Sequence, residues 1–166
     1  MSYWESTGKS DEWYTPQCVF DALGCRFDLG VAGAVRANVP ADGVILSDGL
    51  STAWQGFVWM NPPFGGHNAI TPWIERFIRH GNGIALTPDR TSAPWFQDAM
   101  PWMDAVLFTK KLRFIRPDGT EGASPSNGTA LMAMGHRGLA ALHRAAENGF
   151  GILCHPKRIA VSRKVA

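Results

Sequence analysis

Asn61-Pro62-Pro63-Phe64 is the stretch whose residue types suit a specific chemistry. The exocyclic amine of adenine is a poor nucleophile, because its lone pair is delocalised into the ring. An enzyme that alkylates it must place acceptors where the nitrogen gains positive charge. Asn61 offers a side-chain carbonyl, and Pro62, lacking an N–H, offers its main-chain carbonyl to the second amine hydrogen. The proline pair holds both acceptors in place before reaction. Phe64 supplies a ring on which a base taken out of the duplex can stack. The competing account is a simple turn, since Asn-Pro commonly starts one. Context favours a site: the apolar run Gly56 to Met60 comes before the motif, and Gly65-Gly66 after it leave room for a ligand.

The elements that must position this loop alternate along the chain. Thr15-Pro16 before Gln17 to Leu23 predicts a helix, with Thr15 as N-cap, Pro16 in the first turn and Gly24 at the stop. Phe27 to Ala32 reads as a buried strand leading into Ala32-Gly33-Ala34, and Val44 to Leu46 as a weaker strand. Gly56 to Met60 is a clearer strand, ended by Pro62 and Pro63, which cannot donate to a ladder. Thr71-Pro72 repeats the capping pattern before Trp73, Ile74, Phe77 and Ile78, which share one helical face ending near Gly81. Strands follow at Ile84 to Leu86, Ala105 to Phe108, Thr129 to Met134 and Ile152 to Cys154. Helices are expected over 92–100 and 137–148. This alternation predicts an α/β sandwich, whose ligands gather beyond the carboxyl ends of its strands.

Composition limits the alternatives. With 166 residues, 45% hydrophobic and 18% charged, the chain matches one ordinary globular core. No run of about 20 apolar residues predicts a membrane span, and the acidic N-terminus lacks signal-peptide character, so a cytoplasmic protein is expected. Cys18, Cys25 and Cys154 have no paired spacing for a disulfide framework or zinc ribbon. His67, His136, His143 and His155 have no metal-ligand spacing, so no metal is expected. Residues 1–10 read as a flexible arm, 11–154 as the domain and 155–166 as a basic tail.

A net charge of +2 decides little about partners, but the cations are clustered. Lys110, Lys111, Arg113 and Arg116, around Leu112 and Phe114, form the densest basic stretch and the best candidate for contact with DNA phosphates. A solvated face is the plainer alternative. Arg90 is a second candidate, with pairing to Asp89 or another surface acid as its alternative.

Several segments in order resemble the short phage-type DNA N-6-adenine methyltransferases over about residues 11–134. They are Asp11-Glu12-Trp13-Tyr14-Thr15-Pro16, Phe27-Asp28-Leu29-Gly30-Val31-Ala32, Asp48-Gly49-Leu50 with Trp54, Val58 to Phe64, and Pro72-Trp73. The resemblance implies a class I (Rossmann-like) methyltransferase fold, with a mixed central sheet and helices on both faces. It also implies S-adenosyl-L-methionine as cofactor, DNA as partner and no separate target-recognition domain. Thr15 and Pro16 are similar to the segment over the cofactor's amino-acid end, Asp28, Gly30 and Ala32 to the strand and loop beneath it, and Asp48 with Leu50 to the acidic turn near its adenosine. Thr87-Pro88-Asp89-Arg90-Thr91 with Trp95-Phe96 is similar to a segment lining the site. The chain departs where the family often has Asp-Val-Ala-Ala, carrying Gly30-Val31-Ala32-Gly33 instead.

Together these readings predict adenine N6 methylation by direct in-line transfer to a flipped base, in the host cytoplasm if phage-encoded. The catalytic residues are Asn61, Pro62, Pro63 and Phe64. Cytosine C5 chemistry is disfavoured because neither Cys18 nor Cys25 follows a proline. The alternatives are transfer to protein glutamine or cytosine N4, and a DNA-binding protein that kept the fold without catalysis.

Overall fold

In the computed structural model, residues 13–33, 38–64, 69–124 and 127–157 are described. The expected arm over 1–10 and most of the expected tail over 155–166 lie outside them, as do Ala34, Gly65, Gly66 and His67.

Proline and glycine punctuate the helices. Helix α1 spans Gln17–Leu23 and ends on Gly24, whose left-handed φ of 56° lets its N–H return to the Phe20 carbonyl. Its N-cap is Pro16, with no side-chain cap bond, so the expectation that Thr15 caps it is corrected. The Thr15 hydroxyl has another partner, given below. Helix α2, Thr71–His80, likewise starts after Ile70, with Thr71 already helical and no side-chain cap. Helix α3 covers only Pro94–Ala99, and a 3-10 turn continues over Met100–Trp102. Pro101 has no N–H to extend the α-helical ladder. Helix α4 spans His136–Glu147.

Seven strands form one mixed sheet: β1 Phe27–Gly30, β2 Ala41–Val44, β3 Val58–Met60, β4 Gly83–Pro88, β5 Ala105–Thr109, β6 Thr129–Met134 and β7 Gly151–Cys154. The spatial order is β2-β1-β3-β4-β6-β5-β7. The four strands β2, β1, β3 and β4 are mutually parallel, whereas β6 runs antiparallel to both β4 and β5, and β7 antiparallel to β5. The carboxyl end of β5 therefore lies on the same edge as those of β1, β3 and β4. The second strand falls at Ala41–Val44, earlier than the expected Val44 to Leu46, because Ala41, Gly43 and Val44 pair with β1 while Leu46 leaves the sheet and is exposed.

Alternate strand residues feed two cores. Trp59, Ile84, Leu86, Leu107 and Leu131 face α1 and α4, while Val58, Met60, Ala85, Val106 and Met132 face α2 and α3. Helices thus cover both faces, as expected. Strand β1 breaks the alternation: the N–H groups of Asp28 and Leu29 both reach the Phe57 carbonyl, at 2.8 and 3.4 Å. This local bulge sends Phe27 and Leu29 into opposite cores. Because β1 lies between β2 and β3, the chain order switches there, and the carboxyl ends of β1 and β3 flank the switch point where open α/β sheets bind ligands.

Candidate active site

Strand β3 is buried along its whole length, and Asn61 emerges at its carboxyl end. Pro62 is buried, while Pro63 and Phe64 are exposed, so one proline anchors the loop and the ring after it faces outward. Asn61 Nδ2 donates to Thr15 Oγ1 at 3.2 Å. Thr15 is itself buried, so this bond spans the gap between the N-terminal segment and the loop in a shielded position. With Nδ2 so engaged, Oδ1 is the acceptor presented for other contacts.

A third segment closes on these two. Tyr14 and Ile115 exchange backbone bonds, Tyr14 N–H to Ile115 O at 2.8 Å and Ile115 N–H to Tyr14 O at 3.0 Å. Residues 114–122 form a hairpin through Gly122 N–H to Phe114 O at 2.7 Å and Arg116 N–H to Thr120 O at 2.8 Å. Phe114 on this hairpin meets Phe64 edge-on, with centroids 6.2 Å apart. The structure thus brings the Asn61 loop, Thr15-Pro16 and the basic stretch to one edge of the sheet.

The loops after β1 and β2 complete that edge. Val31 N–H donates to Trp59 O at 3.0 Å, Ile45 N–H to Gly30 O at 2.8 Å and Gly33 N–H to Ile45 O at 3.1 Å, which holds Gly30 to Gly33 beside β3. Gly49 packs its backbone on the Val31 carbonyl so closely that any Cβ would collide with it. The turn carrying Gly49 starts at Asp48, whose left-handed φ of 55° is uncommon outside glycine. The Asp48 carbonyl accepts from the N–H groups of Ser51 and Thr52, both at 2.9 Å, and from both hydroxyls.

Arg76 of α2, which sequence reasoning missed, pins this turn from below. Its Nη1 donates to Leu50 O at 2.6 Å and its Nη2 to Thr52 O, and its guanidinium lies 4.9 Å from the centroid of the Trp54 ring. Trp54 Nε1 in turn donates to Gly49 O at 2.7 Å. A charged residue on an amphipathic helix reads as a solvated face, so only its neighbourhood with buried Ile74 and Phe77 hinted at this role.

Asp28 does not join the group. Its carboxylate accepts from Phe57 N–H at 2.6 Å and from Arg137 Nη1 at 2.9 Å. Phe57 and Asn61 flank β3 at opposite ends, so Asp28 is at the amino edge, away from the Asn61 loop. The Phe57 N–H, aided by Arg137, holds its carboxyl below the usual range. A concavity of about 480 Å³ lies beside it, lined by Asp28, Leu29, Ile45, Thr52, Ala53, Gln55 and Gly56. That hollow includes no residue of the Asn61 loop.

Of the candidate DNA contacts, Lys110 and Lys111 follow β5 at the site edge, exposed and without a carboxylate partner among the described residues. Arg113 reaches Glu121 at 3.8 Å, and Arg116 Nη1 donates to Glu121 O at 2.6 Å. Arg90 is exposed after β4 and makes no ion pair among the described residues. The described residues hold no cluster of three metal-ligating side chains, and no described helix is long and apolar enough to cross a membrane. All three cysteines are free.

The sequence model of the DNA N-6-adenine-methyltransferase (Dam) family matches residues 5–149. The chain belongs to that family. The match runs from before the Thr15 segment to past β6 and α4, so every segment gathered at the carboxyl edge lies inside it. Membership in the Dam family supports DNA adenine N6 methylation as the activity and DNA as the substrate, and it does not favour the alternative readings. No curated protein and no solved structure matches the chain.

Proposed function

We propose that this Dam-family protein transfers a methyl group from S-adenosyl-L-methionine to N6 of a flipped adenine, using the Asn61-Pro62-Pro63-Phe64 loop. The observation that carries this is the Asn61–Thr15 hydrogen bond at the carboxyl end of β3. It engages the Asn61 amide nitrogen, leaves Oδ1 for an incoming amine, and ties the loop to the expected cofactor segment.

The residues at the switch point fit the cofactor. Gly30 and Ala32 leave little side-chain bulk over the end of β1, and the tight Gly49–Val31 approach holds the Asp48 turn against it. Thr15 and Pro16 would cover one end of the cofactor, and the Asp48 to Leu50 turn the other. Asp28 is left out of this set, since it lies at the amino end of the sheet beside Phe57 and Arg137, away from Asn61. When bound, S-adenosyl-L-methionine supplies an electrophilic methyl on a sulfonium. Asn61 Oδ1 and the Pro62 carbonyl would accept hydrogen bonds from the two amine N–H groups, stabilise the charge that develops on nitrogen before it loses one proton, and align it for in-line attack. Phe64 stacks on the base, and Lys110, Lys111, Arg113, Arg116 and Arg90 contact phosphates. The mixed sheet, with helices on both faces and a switch point at β1, supports a class I methyltransferase fold.

The test is transfer of labelled methyl from S-adenosyl-L-methionine to unmethylated DNA, followed by nucleoside analysis. N6-methyladenine as the labelled product supports the proposal. Label on cytosine, or no transfer to DNA by a protein that binds the cofactor, rejects it.

A further inference from the structure

The 114–122 hairpin and the segment just before Thr15 make a surface on which Trp13 has no part in the methyl transfer itself. Trp13 is 43% exposed, a large ring left open to solvent two residues from the Thr15 that holds Asn61. The ring is held in place: it packs on Gly122, where a Cβ would meet Trp13 Cζ3 at 2.7 Å, and the Arg116 guanidinium lies 5.9 Å from its centroid. The backbone pairing of Tyr14 with Ile115 locks the two strands together beneath it. Phe64, 37% exposed, touches the same hairpin through Phe114. Arg116 is beside Trp13, and the same stretch of chain carries Lys110, Lys111 and Arg113, with Asp118 and Glu121 as its acids. The four cations outnumber the two carboxylates, of which Asp118 bonds Thr120 and Glu121 faces Arg113, so the stretch is net positive. A rigid exposed aromatic ring beside uncompensated cations is the chemistry that grips a nucleic-acid strand: bases stack on the ring and phosphates meet the cations.

We propose that Trp13, clamped on the 114–122 hairpin, is a stacking platform for a base flanking the target in the DNA strand. This rests on the DNA-methylation reading above. The ring is preorganised, because Gly122 and Arg116 pack against it, and 43% of the residue is still exposed. Its contribution is independent of sequence, since every base has a π-face.

The experiment measures binding of a fluorescein-labelled single-stranded oligonucleotide and its duplex by anisotropy across a salt series, using the full chain, Trp13→Ala and Trp13→Phe. We expect Trp13→Ala to weaken single-strand binding about tenfold, within the range for removing one base–aromatic stack, and Trp13→Phe to stay within about threefold of the parent. The salt slope of Trp13→Ala should match the parent, since the substitution removes no charge. Unchanged affinity in Trp13→Ala overturns the proposal. So does a reduced salt slope, which would make Trp13 only a clamp that positions the hairpin cations. Failure of the parent protein to bind either DNA would instead overturn the methylation reading, and this proposal with it.

Discussion

Asn61 and Thr15 are joined by a hydrogen bond of 3.2 Å that bridges the end of β3 and the segment before α1. Asn61 is thereby oriented before any substrate arrives. Preorganisation of this kind matters because small misplacements of a reacting group can cost about a hundredfold in rate. Thr15→Val keeps the volume of the side chain and removes the acceptor. We expect it to lower kcat at least about tenfold, with Thr15→Ser staying within about threefold of the parent, measured by methyl transfer under saturating cofactor. A Thr15→Val enzyme with unaltered kcat would show that this bond does not orient Asn61.

Arg76 spans two carbonyls of the turn that starts at Asp48, through Leu50 and Thr52. A lysine is a point charge that cannot bridge both with a planar fork. Arg76→Met should therefore raise the dissociation constant for S-adenosyl-L-methionine about tenfold, and Arg76→Lys by less. Saturating cofactor should largely restore kcat in both. Titration calorimetry reads the first effect, and a kcat loss that cofactor cannot rescue would place Arg76 elsewhere in the mechanism.

We expect Asp28 to act on stability. Its carboxyl is held below the usual value of about 3.9 by the Phe57 N–H and Arg137, so its contribution is present above that unfolded value and is lost as pH falls through the folded one. Asp28→Ala leaves the buried Phe57 without this acceptor, which should cost about 1 kcal/mol at pH 7, or roughly 2–4 °C in Tm. The difference in Tm from the parent should shrink below about pH 4. Cofactor affinity should not change, because Asp28 is at the opposite end of β3 from Asn61.

Lys110 and Lys111 extend from the carboxyl end of β5 without a carboxylate partner among the described residues. Changing both to Ala should weaken DNA binding and reduce the slope of log affinity against log salt by about 0.9 for each duplex phosphate that is no longer neutralised. An unaltered slope would assign the DNA path to another surface.

The position of the Asn61 loop and most helices were legible because prolines and glycines punctuate them: Pro62-Pro63 follow β3, and Gly24 and Gly81 stop α1 and α2. Strand β2 was misplaced because Ala41-Asp42-Gly43-Val44 has no apolar alternation. It is a strand by virtue of pairing with β1, a tertiary effect that local pattern does not carry. The surroundings of Asp28 were hidden for a related reason. An acid early in a strand has the same local signature whether it points to a ligand or, as here, is turned by a bulge onto a neighbouring N–H. The 114–122 hairpin reads in sequence only as a basic run entering a glycine-rich loop. Its meaning comes from Tyr14, far away in the chain.

The most direct test of the central claim compares the parent protein with Asn61→Ala, by label transfer from S-adenosyl-L-methionine to unmethylated DNA with cofactor affinity measured alongside. We expect N6-methyladenine from the parent, at least about a hundredfold less from Asn61→Ala, and the same cofactor affinity for both. Equal transfer by the two proteins would contradict the assignment of catalysis to this loop.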